Sequence, residues 1–130
     1  MGLESVSFFK TASQRLQWLS ARQKVISQNI ANSDTPDFKA KDVSSFSKML
    51  EGVQQTGLVT TSTKHIGGGQ SSGVRAEVVE DVWGETIDGN TVVLEQQSIL
   101  SNEVGEDYQL AARLYRKGYE LLTLAATGIR

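Results

Sequence analysis

The sequence predicts a mainly α-helical protein in which long N- and C-terminal helices pack as a coiled-coil-like pair around an irregular middle. Two observations support this prediction: apolar residues recur at steps of three and four at both ends, and the middle is rich in Gly, Ser, Thr and Gln. The chain has 130 residues, about one domain. Only 38% of them are hydrophobic and 7% aromatic, so helices that share apolar faces with partner subunits fit this composition as well as a compact globule does.

The N-terminal helix is predicted to run from about Ser7 to Asn32. Its apolar stripe extends over three heptads, which is typical of a helix that packs along another helix. The stripe contains Phe9, Ala12, Leu16, Leu19, Gln23, Ile26 and Ile30, with Trp18 and Val25 beside it. A glutamine in such a stripe either fixes the register of the pair or is a tolerated polar residue, and the pattern fits both interpretations.

A strong stop follows this helix, formed by Asn32, Asp34, Thr35 and the only proline of the chain, Pro36. Asparagine accepts the left-handed conformation that ends many helices. Aspartate and threonine favour local side-chain turns, and a proline disfavours the helical conformation in the residue before it. We therefore expect the helix to end near Asn32 and the chain to leave it as a turn.

The middle of the chain is predicted to hold little regular structure. The pattern indicates an extended segment at Asp37–Lys41, a short helix at Ser44–Glu51 that ends at Gly52, and one short strand or hairpin arm at Val74–Val79. The stretch IGGGQSSG has no strand before it and no GK[ST] after it. A flexible linker is therefore favoured over a phosphate-binding loop.

The C-terminal helix is predicted to begin after a DGN turn, with Asn90 or Thr91 as its N-cap and Glu95 in its first turn. It carries two apolar stripes about 100° apart, which make a face too wide for one partner helix. The first stripe contains Val104, Tyr108, Ala111, Tyr115, Gly118, Leu122, Ala125 and Ile129, and the second contains Leu110, Leu114, Leu121 and Leu124. We expect the first stripe to pair with the N-terminal helix and the second to pack against neighbouring subunits.

These patterns divide the chain into an N-terminal helical segment (1–51), a loop-rich region (52–90) and a C-terminal helix (91–130). A small three-helix globule that folds on itself remains an alternative on periodicity alone. No stretch has the length of a membrane span, and the N-terminus has no cleavable signal pattern.

Charge and residue types argue against several classes of function. The net charge is −2, which predicts no nucleic-acid binding. Nine acidic and no basic residues lie between Glu77 and Asp107, either as a solvated surface or as a complement to the basic end of another copy. Cysteine is absent and His65 is the only histidine. We therefore predict no catalytic residues, no metal site, no cofactor and no enzyme activity; a small stand-alone helical adaptor is the alternative class.

The stretch NIANSDTPDFKAKDVSSF resembles the N-terminal signature of the bacterial flagellar axial proteins, the rod, hook and hook-associated subunits. The matching residues are Asn29, Ile30, Ala31, Asn32, Thr35 and Pro36. Asp37 and Phe38 stand where the family pattern has glycine and tyrosine. A non-glycine residue resists the positive φ that glycine would permit, so Asp37 is expected to disfavour the turn geometry that a glycine there would allow.

Within that family the short chain, the continuation FKAKDVSSFSKML and the ending DYQLAARLYRKGYELLTLAATGIR are similar to the rod subunits of the proximal end. The resemblance implies a structural subunit that is exported by the flagellar type III apparatus without signal cleavage. It implies helical assembly into the periplasmic rod of the basal body. The implied partners are further copies and other rod subunits, the MS ring and its rod adaptor protein, and the export gate; another rod subunit is the alternative within the family.

Overall fold

The computed structural model describes residues 2–55 and 74–128. These residues form three helices and two short strands. In chain order they are α1 (Gly2–Ala31), β1 (Lys41–Val43), α2 (Phe46–Gln55), β2 (Ala76–Val78) and α3 (Leu94–Thr127). None of these helices has the length and apolar character needed to cross a membrane.

The two long helices α1 and α3 pack side by side in opposite directions. Gln23 Nε2 donates to Ser101 Oγ at 2.8 Å, and the ring of Phe9 meets the ring of Tyr115 edge-on at 5.3 Å. Positions earlier in α1 therefore meet positions later in α3. The predicted pairing of the terminal helices is confirmed, and Gln23 makes a polar contact within it.

The core lies towards one end of this helix pair, where α2 covers it. Its buried members are Trp18, Leu19, Ile26, Met49 and Val104. Partly buried apolar residues of α2 and the strands pack against them, including Phe46, Leu50 and Val43. The predicted short helix thus supplies the third side of a small core that the two long helices alone would leave open.

A two-stranded antiparallel sheet flanks the core. Lys41 pairs with Val78, Asp42 with Glu77 and Val43 with Ala76. The prediction of an extended segment before α2 and a strand near Val74–Val79 is therefore correct in kind, although each strand has only three residues. Since α2 lies between the strands in the chain, they are not joined by a tight hairpin turn.

The predicted start of α1 and the predicted end of α2 differ from the structure. α1 begins at Gly2 rather than Ser7, since residues 2–6 contain no proline that would interrupt a helix. α2 continues through Gly52 to Gln55, since one glycine weakens a helix without having to end it. The glycine-rich stretch, His65 and Ile129 lie outside the described residues.

The apolar stripe of α1 also ends earlier than predicted. Ile30 is 40% exposed, whereas Asn29 is 1% exposed. The contact between Gln23 and Ser101 places Ile30 level with the first residues of α3, where the helix pair ends. The placement of Ile30 between the two helices is therefore wrong, and the buried position belongs to an asparagine.

Candidate assembly site: the helix junction and the outer face of the C-terminal helix

Asn29 fastens the end of α1 to both β1 and α3. Its side-chain amide donates to Lys41 O at 2.7 Å and to Gln97 Oε1 at 3.0 Å, and its Oδ1 accepts from Lys41 N at 3.0 Å. Asn29 and Gln97 are almost fully buried, at 1% and 2% exposure. Because all of these hydrogen bonds are made, the buried Asn29 amide stabilises the fold. Without them, its burial would lower the free energy of unfolding.

Asn90 fastens the turn after α1 in the same way. Its side-chain amide donates to Asn32 O and to Thr35 O, both at 2.8 Å. Its Oδ1 accepts from Val92 N at 2.8 Å. Asn90 is 1% exposed, so its amide takes the place of water at two carbonyl groups of the turn, which also accept from Thr35 N at 3.1 Å and from Phe38 N at 3.3 Å.

A second contact between the same two segments involves Asp37 and the 88–89 turn. Asp37 has a φ of 60°, and its backbone N–H donates to Asp88 O at 2.8 Å. Gly89 has a φ of 81°, and a Cβ at this position would lie 2.5 Å from Asp37 Oδ1. The positive φ favours glycine here, and the absence of a side chain leaves room for the Asp37 carboxylate.

Thr91 completes the junction. Its Oγ1 accepts from Ala40 N at 2.8 Å, and its backbone N–H donates to Phe38 O at 3.0 Å. The prediction that Asn90 or Thr91 caps α3 is therefore wrong: Val93 is the N-cap residue and makes no side-chain cap. Both polar side chains are used instead to hold the segment that leaves α1.

We call this set of contacts the helix junction. It comprises Asn29, Asn32, Thr35, Asp37, Phe38, Ala40, Asp88, Gly89, Asn90, Thr91 and Gln97. Beside it, the hydroxyl of Thr86 donates to the carboxylate of Asp88, and Asn90 N donates to the same carboxylate at 3.3 Å. These hydrogen bonds lower the pKa of Asp88 below its usual value.

The indole of Trp18 links α1 to the segment before α2. Its Nε1 donates to Ser44 O at 2.7 Å. The guanidinium groups of Arg15 and Arg22 lie 4.7 Å and 5.6 Å from the indole centroid, in the arrangement of cation–π contacts. Arg22 also forms a two-point ion pair with Asp42, at 3.0 and 3.1 Å. These contacts hold β1 against α1.

The opposite end of the helix pair has thinner packing. The rings of Phe8 and Phe9 meet edge-on at 5.3 Å. A Cβ on Gly118 would lie 2.6 Å from Phe8 Cε1, so the absence of a side chain lets Phe8 lie directly on α3. Leu3 and Val6 are 89% and 64% exposed, because no third element of the described residues covers this end.

One side of α3 points away from α1 and is largely apolar. Leu110, Leu114 and Leu121 are 57%, 54% and 54% exposed, and Leu124 is 43% exposed. We call this side the outer face of α3 and define it by residues at steps of three and four. They are Ile99, Glu103, Glu106, Leu110, Leu114, Lys117, Leu121 and Leu124. A run of exposed leucines of this length is typical of a surface that contacts another protein.

The predicted contact residues fall into two groups. Leu19, Ile26 and Val104 are buried in the subunit, and Phe9 and Leu16 are partly buried. Tyr108, Tyr115 and Leu122 lie at the edge of the helix pair with 44%, 37% and 37% exposure. Their role in assembly, like that of the outer face of α3, stays a prediction.

The family-motif residues likewise fall into two groups. The polar groups of Asn29, Asn32 and Thr35 belong to the helix junction. Ile30, Ala31 and Pro36 are exposed. Sequence reasoning missed Gln97, although it stands one heptad before Val104 in the first stripe, a spacing that could have placed it opposite α1.

Groups capable of catalysis do not converge in the part of the chain that the structure describes. Among these residues no three His, Asp or Glu side chains lie close enough to hold a metal ion. Lys39 pairs with Glu85 at 3.0 Å and Arg15 approaches Asp107 at 3.8 Å, and all four side chains are at least one third exposed. Such surface pairs contribute little free energy; the arrangement is one that holds helices together.

Comparison with known proteins agrees with this geometry. The family model described as "Flagella basal body rod protein" matches residues 9–39, which include most of α1 and the turn after it. This match points to the class of flagellar rod subunits, and a relative that covers nearly the whole chain shows the same class. The chain is 33% identical over 126 residues to the flagellar basal body rod protein FlgB of Agrobacterium fabrum, with 94% of each chain covered.

Two further relatives carry the same name. The Aeromonas hydrophila protein is 39% identical over 99 residues, covering 72% of this chain and 74% of the relative. The Escherichia coli protein is 31% identical over 107 residues, covering 75% and 77%. The chain belongs to the FlgB family of flagellar basal body rod proteins.

Proposed function

We propose that this chain, a structural subunit of the flagellar basal body rod, forms part of the proximal rod and transmits torque through packed terminal helices. The observation that supports this most directly is the outer face of α3, since its leucines are not buried by the residues that the structure describes. In a closed, self-sufficient domain such residues would cost free energy in water. That cost in free energy is removed when neighbouring subunits cover these leucines.

The proposal extends to the route and the partners. The subunit leaves the cytoplasm through the flagellar type III apparatus without signal cleavage, and it assembles helically. Its partners are further copies, other rod subunits, the MS ring, the rod adaptor protein and the export gate. Open helical assembly requires contacts between two different surfaces of each copy, and a pair of helices with an exposed outer face offers such surfaces. It acts as a structural protein and not as an enzyme.

Replacement of Leu114 by aspartate tests the proposal. We expect L114D to abolish rod assembly and swimming while export of the chain continues, because a charge in an apolar contact is costly to desolvate. Assembly is measured by electron microscopy of isolated basal bodies, and export by the amount of chain outside the cytoplasm.

Gln109 provides the matched control. It is exposed on α3 but does not belong to the outer face, so Q109D introduces the same charge elsewhere on the same helix. We expect Q109D cells to swim. Normal rods in L114D cells would contradict the proposed packing, and normal rods in cells that lack the chain would contradict the proposed function itself.

A further inference from the structure

The loop between β2 and α3 carries exposed apolar and acidic side chains together. We call residues 79–88 the acidic loop. Val82 and Trp83 are 47% and 70% exposed. Glu80 and Asp81 are exposed beside them and make no ion pair with described residues. An exposed tryptophan with an apolar neighbour and a charged rim is typical of a surface that contacts another protein.

The acidic loop is held against the rest of the subunit on both sides of Trp83. Val79 N donates to Ala40 O at 2.9 Å. A Cβ on Gly84 would lie 3.4 Å from Val93 Cγ2, so the loop passes directly beside the start of α3. Trp83 is therefore presented to solvent by a fixed backbone, and a partner that binds it needs to order little of the loop.

An open groove runs along the helix pair, between α1 and Tyr108 of α3. Ser20, which lines it, follows Trp18 by two residues, about 200° around α1. Trp18 packs against Phe46 of α2, so the groove opens on the side of the helix pair away from α2. The residues of α1 that line the groove are Ser13, Leu16, Gln17, Ser20, Ala21 and Lys24.

The charges of α1 beside this groove are basic. No acidic residue lies between Glu4 and Asp34. Lys24 lines the groove, and Lys10, two heptads earlier, is exposed on the same side of the helix. Neither lysine makes an ion pair with described residues, whereas both arginines of α1 pair within the subunit. The groove thus has available positive charge at its rim.

The acidic loop and the groove complement each other in shape and charge. Leu16 and Tyr108 give the groove apolar contact area for an indole, and its hydroxyl and amide oxygens can accept the indole N–H. Acids lie on the side of the loop and a lysine on the side of the groove, so that opposite charges meet when Trp83 enters. Nine acids and no base lie between Glu77 and Asp107, so nothing basic in that stretch opposes the contact.

The two surfaces lie at different heights along the helix pair. The contact between Gln23 and Ser101 places the groove beside residues 100–111 of α3. The acidic loop lies beside Val93, about 18 Å from the middle of that stretch along the helix axis. Because the loop is held in place, it does not reach the groove of its own subunit. In parallel copies the contact displaces one copy along the axis relative to the next, so it repeats without closing into a ring.

We propose that the acidic loop of one copy docks in the groove between α1 and α3 of the next copy. Trp83 enters the groove, and Glu80 and Asp81 lie against Lys24. This inference rests on the proposed function, in which copies assemble helically in one direction. It deepens that function by naming two different surfaces that meet, neither of which belongs to the outer face of α3.

Photo-cross-linking tests the contact. A benzophenone amino acid at position 83 keeps an aromatic side chain on the exposed loop. In basal bodies irradiated with ultraviolet light, we expect a ladder of cross-linked oligomers of this chain, because each copy carries both surfaces. Mass spectrometry is expected to map the adducts to residues 13–24 or to Tyr108 of a second copy.

A reciprocal probe at Gln17 leaves Trp83 unchanged and is expected to map to residues 79–88 of a second copy. Lys48 of α2 is exposed and lies outside the groove, so a probe there is the control and is expected to give no adduct with the acidic loop. The absence of oligomers with both the position-83 probe and the Gln17 probe would overturn the proposal. Adducts that join these probes only to their own chain, or only to a different rod subunit, would overturn it as well.

Charge reversal tests the pairing independently. K24E and E80K/D81K are each expected to lower the yield of complete basal bodies per exported chain by about tenfold or more, because like charges then meet across the contact. The combined variant E80K/D81K/K24E is expected to restore the yield to within about twofold of the unmodified chain, since the contact re-forms with opposite polarity. A combined variant as defective as its parents overturns the proposal.

Lys48 also provides the matched control for charge reversal. Like Lys24 it is exposed and makes no ion pair with described residues, so K48E makes the same change of charge outside the groove. K48E is expected to assemble normally, and a defect equal to that of K24E would overturn the proposal. If cells lacking the chain form no rods while the combined variant fails to rescue, the docking is wrong and the proposed function stands.

Discussion

Asp37 stands where the family pattern has glycine, and its backbone has a conformation that glycine adopts readily. Its φ is 60°, in the left-handed region that costs most residues about 1–2 kcal/mol. Aspartate is among the few that enter this region often, because its short side chain forms local hydrogen bonds. At this position aspartate therefore has the positive φ that a glycine would permit. Gly89 lies beside Asp37 in space, and because it has no side chain it leaves room for the Asp37 carboxylate.

A double-mutant cycle at positions 37 and 89 measures how strongly the two residues are coupled. We expect Gly89→Ala to lower the free energy of unfolding by about 2–3 kcal/mol, because alanine resists a φ of 81° and its Cβ collides with Asp37 Oδ1. In the Asp37→Gly background the same change should cost at least about 1 kcal/mol less. Urea denaturation followed by tryptophan fluorescence gives both values, and equal costs in the two backgrounds would rule out the contact.

At the residue scale, the positions of polar residues before α3 could be predicted better than their hydrogen-bond partners. Asn90 and Thr91 were placed correctly before a helix, and their residue types are typical of N-caps. In the structure they bond to Asn32, Thr35 and Ala40 instead. Such long-range pairing has no local signal in one sequence, because capping and bridging use the same amide and hydroxyl groups.

The two glycines of α3 show how one residue type serves an element in different ways. A Cβ on Gly105 would meet nothing within 4 Å, whereas a Cβ on Gly118 would meet the ring of Phe8. Gly105 therefore only weakens the helix, by about 1 kcal/mol relative to alanine. Gly118 weakens the helix by the same amount, but it lets Phe8 of α1 approach α3 closely.

Alanine replacements separate these two roles. We expect Gly105→Ala to raise the free energy of unfolding by up to about 1 kcal/mol through helix propensity. Gly118→Ala should gain about 1 kcal/mol less, because the Phe8 ring must move away from α3. Denaturation curves of the two variants provide the comparison, with Phe8→Ala/Gly118→Ala as the control that removes the collision. A gain at 118 equal to that at 105 would contradict the close packing.

At the element scale the type and order of the long helices could be predicted, because heptad spacing over several turns is a strong signal. The sheet was predicted less well. Three-residue strands such as Ala76–Val78 are too short for an alternating pattern to define. The misplacement of Ile30 has a different cause: periodicity places a residue on a face, but it does not tell where the partner helix ends.

Across the whole molecule, buried contacts are concentrated at the end of the helix pair near the junction. Asn29, Asn90 and Gln97 are nearly fully buried there, and Trp18 and Met49 complete the core. At the other end Leu3, Val6 and Tyr119 are 89%, 64% and 62% exposed. Few buried contacts mean a low free energy of local opening, so the stability of the subunit should decrease from one end to the other.

Hydrogen exchange of the free subunit checks this gradient. We expect amides of 19–31 and 97–107 to be protected at least about tenfold more than those of 2–9 and 118–127, because the latter open without breaking the core. Exchange rates of the urea-unfolded chain serve as the reference. In the assembled rod the same distal amides should become protected. Uniform protection of the free subunit would show that the outer ends do not depend on neighbours.

The polar character of the helix junction has a mechanical consequence. Hydrogen bonds depend on angle as well as distance, so α1 cannot rotate about its own axis relative to α3 without breaking the bonds of Asn29. The apolar contacts at the far end depend less strictly on angle and permit more of such rotation. The subunit therefore has one torsionally stiff end and one compliant end. The compliant end can adjust its twist to fit neighbouring subunits, while the stiff end resists torsion between α1 and α3.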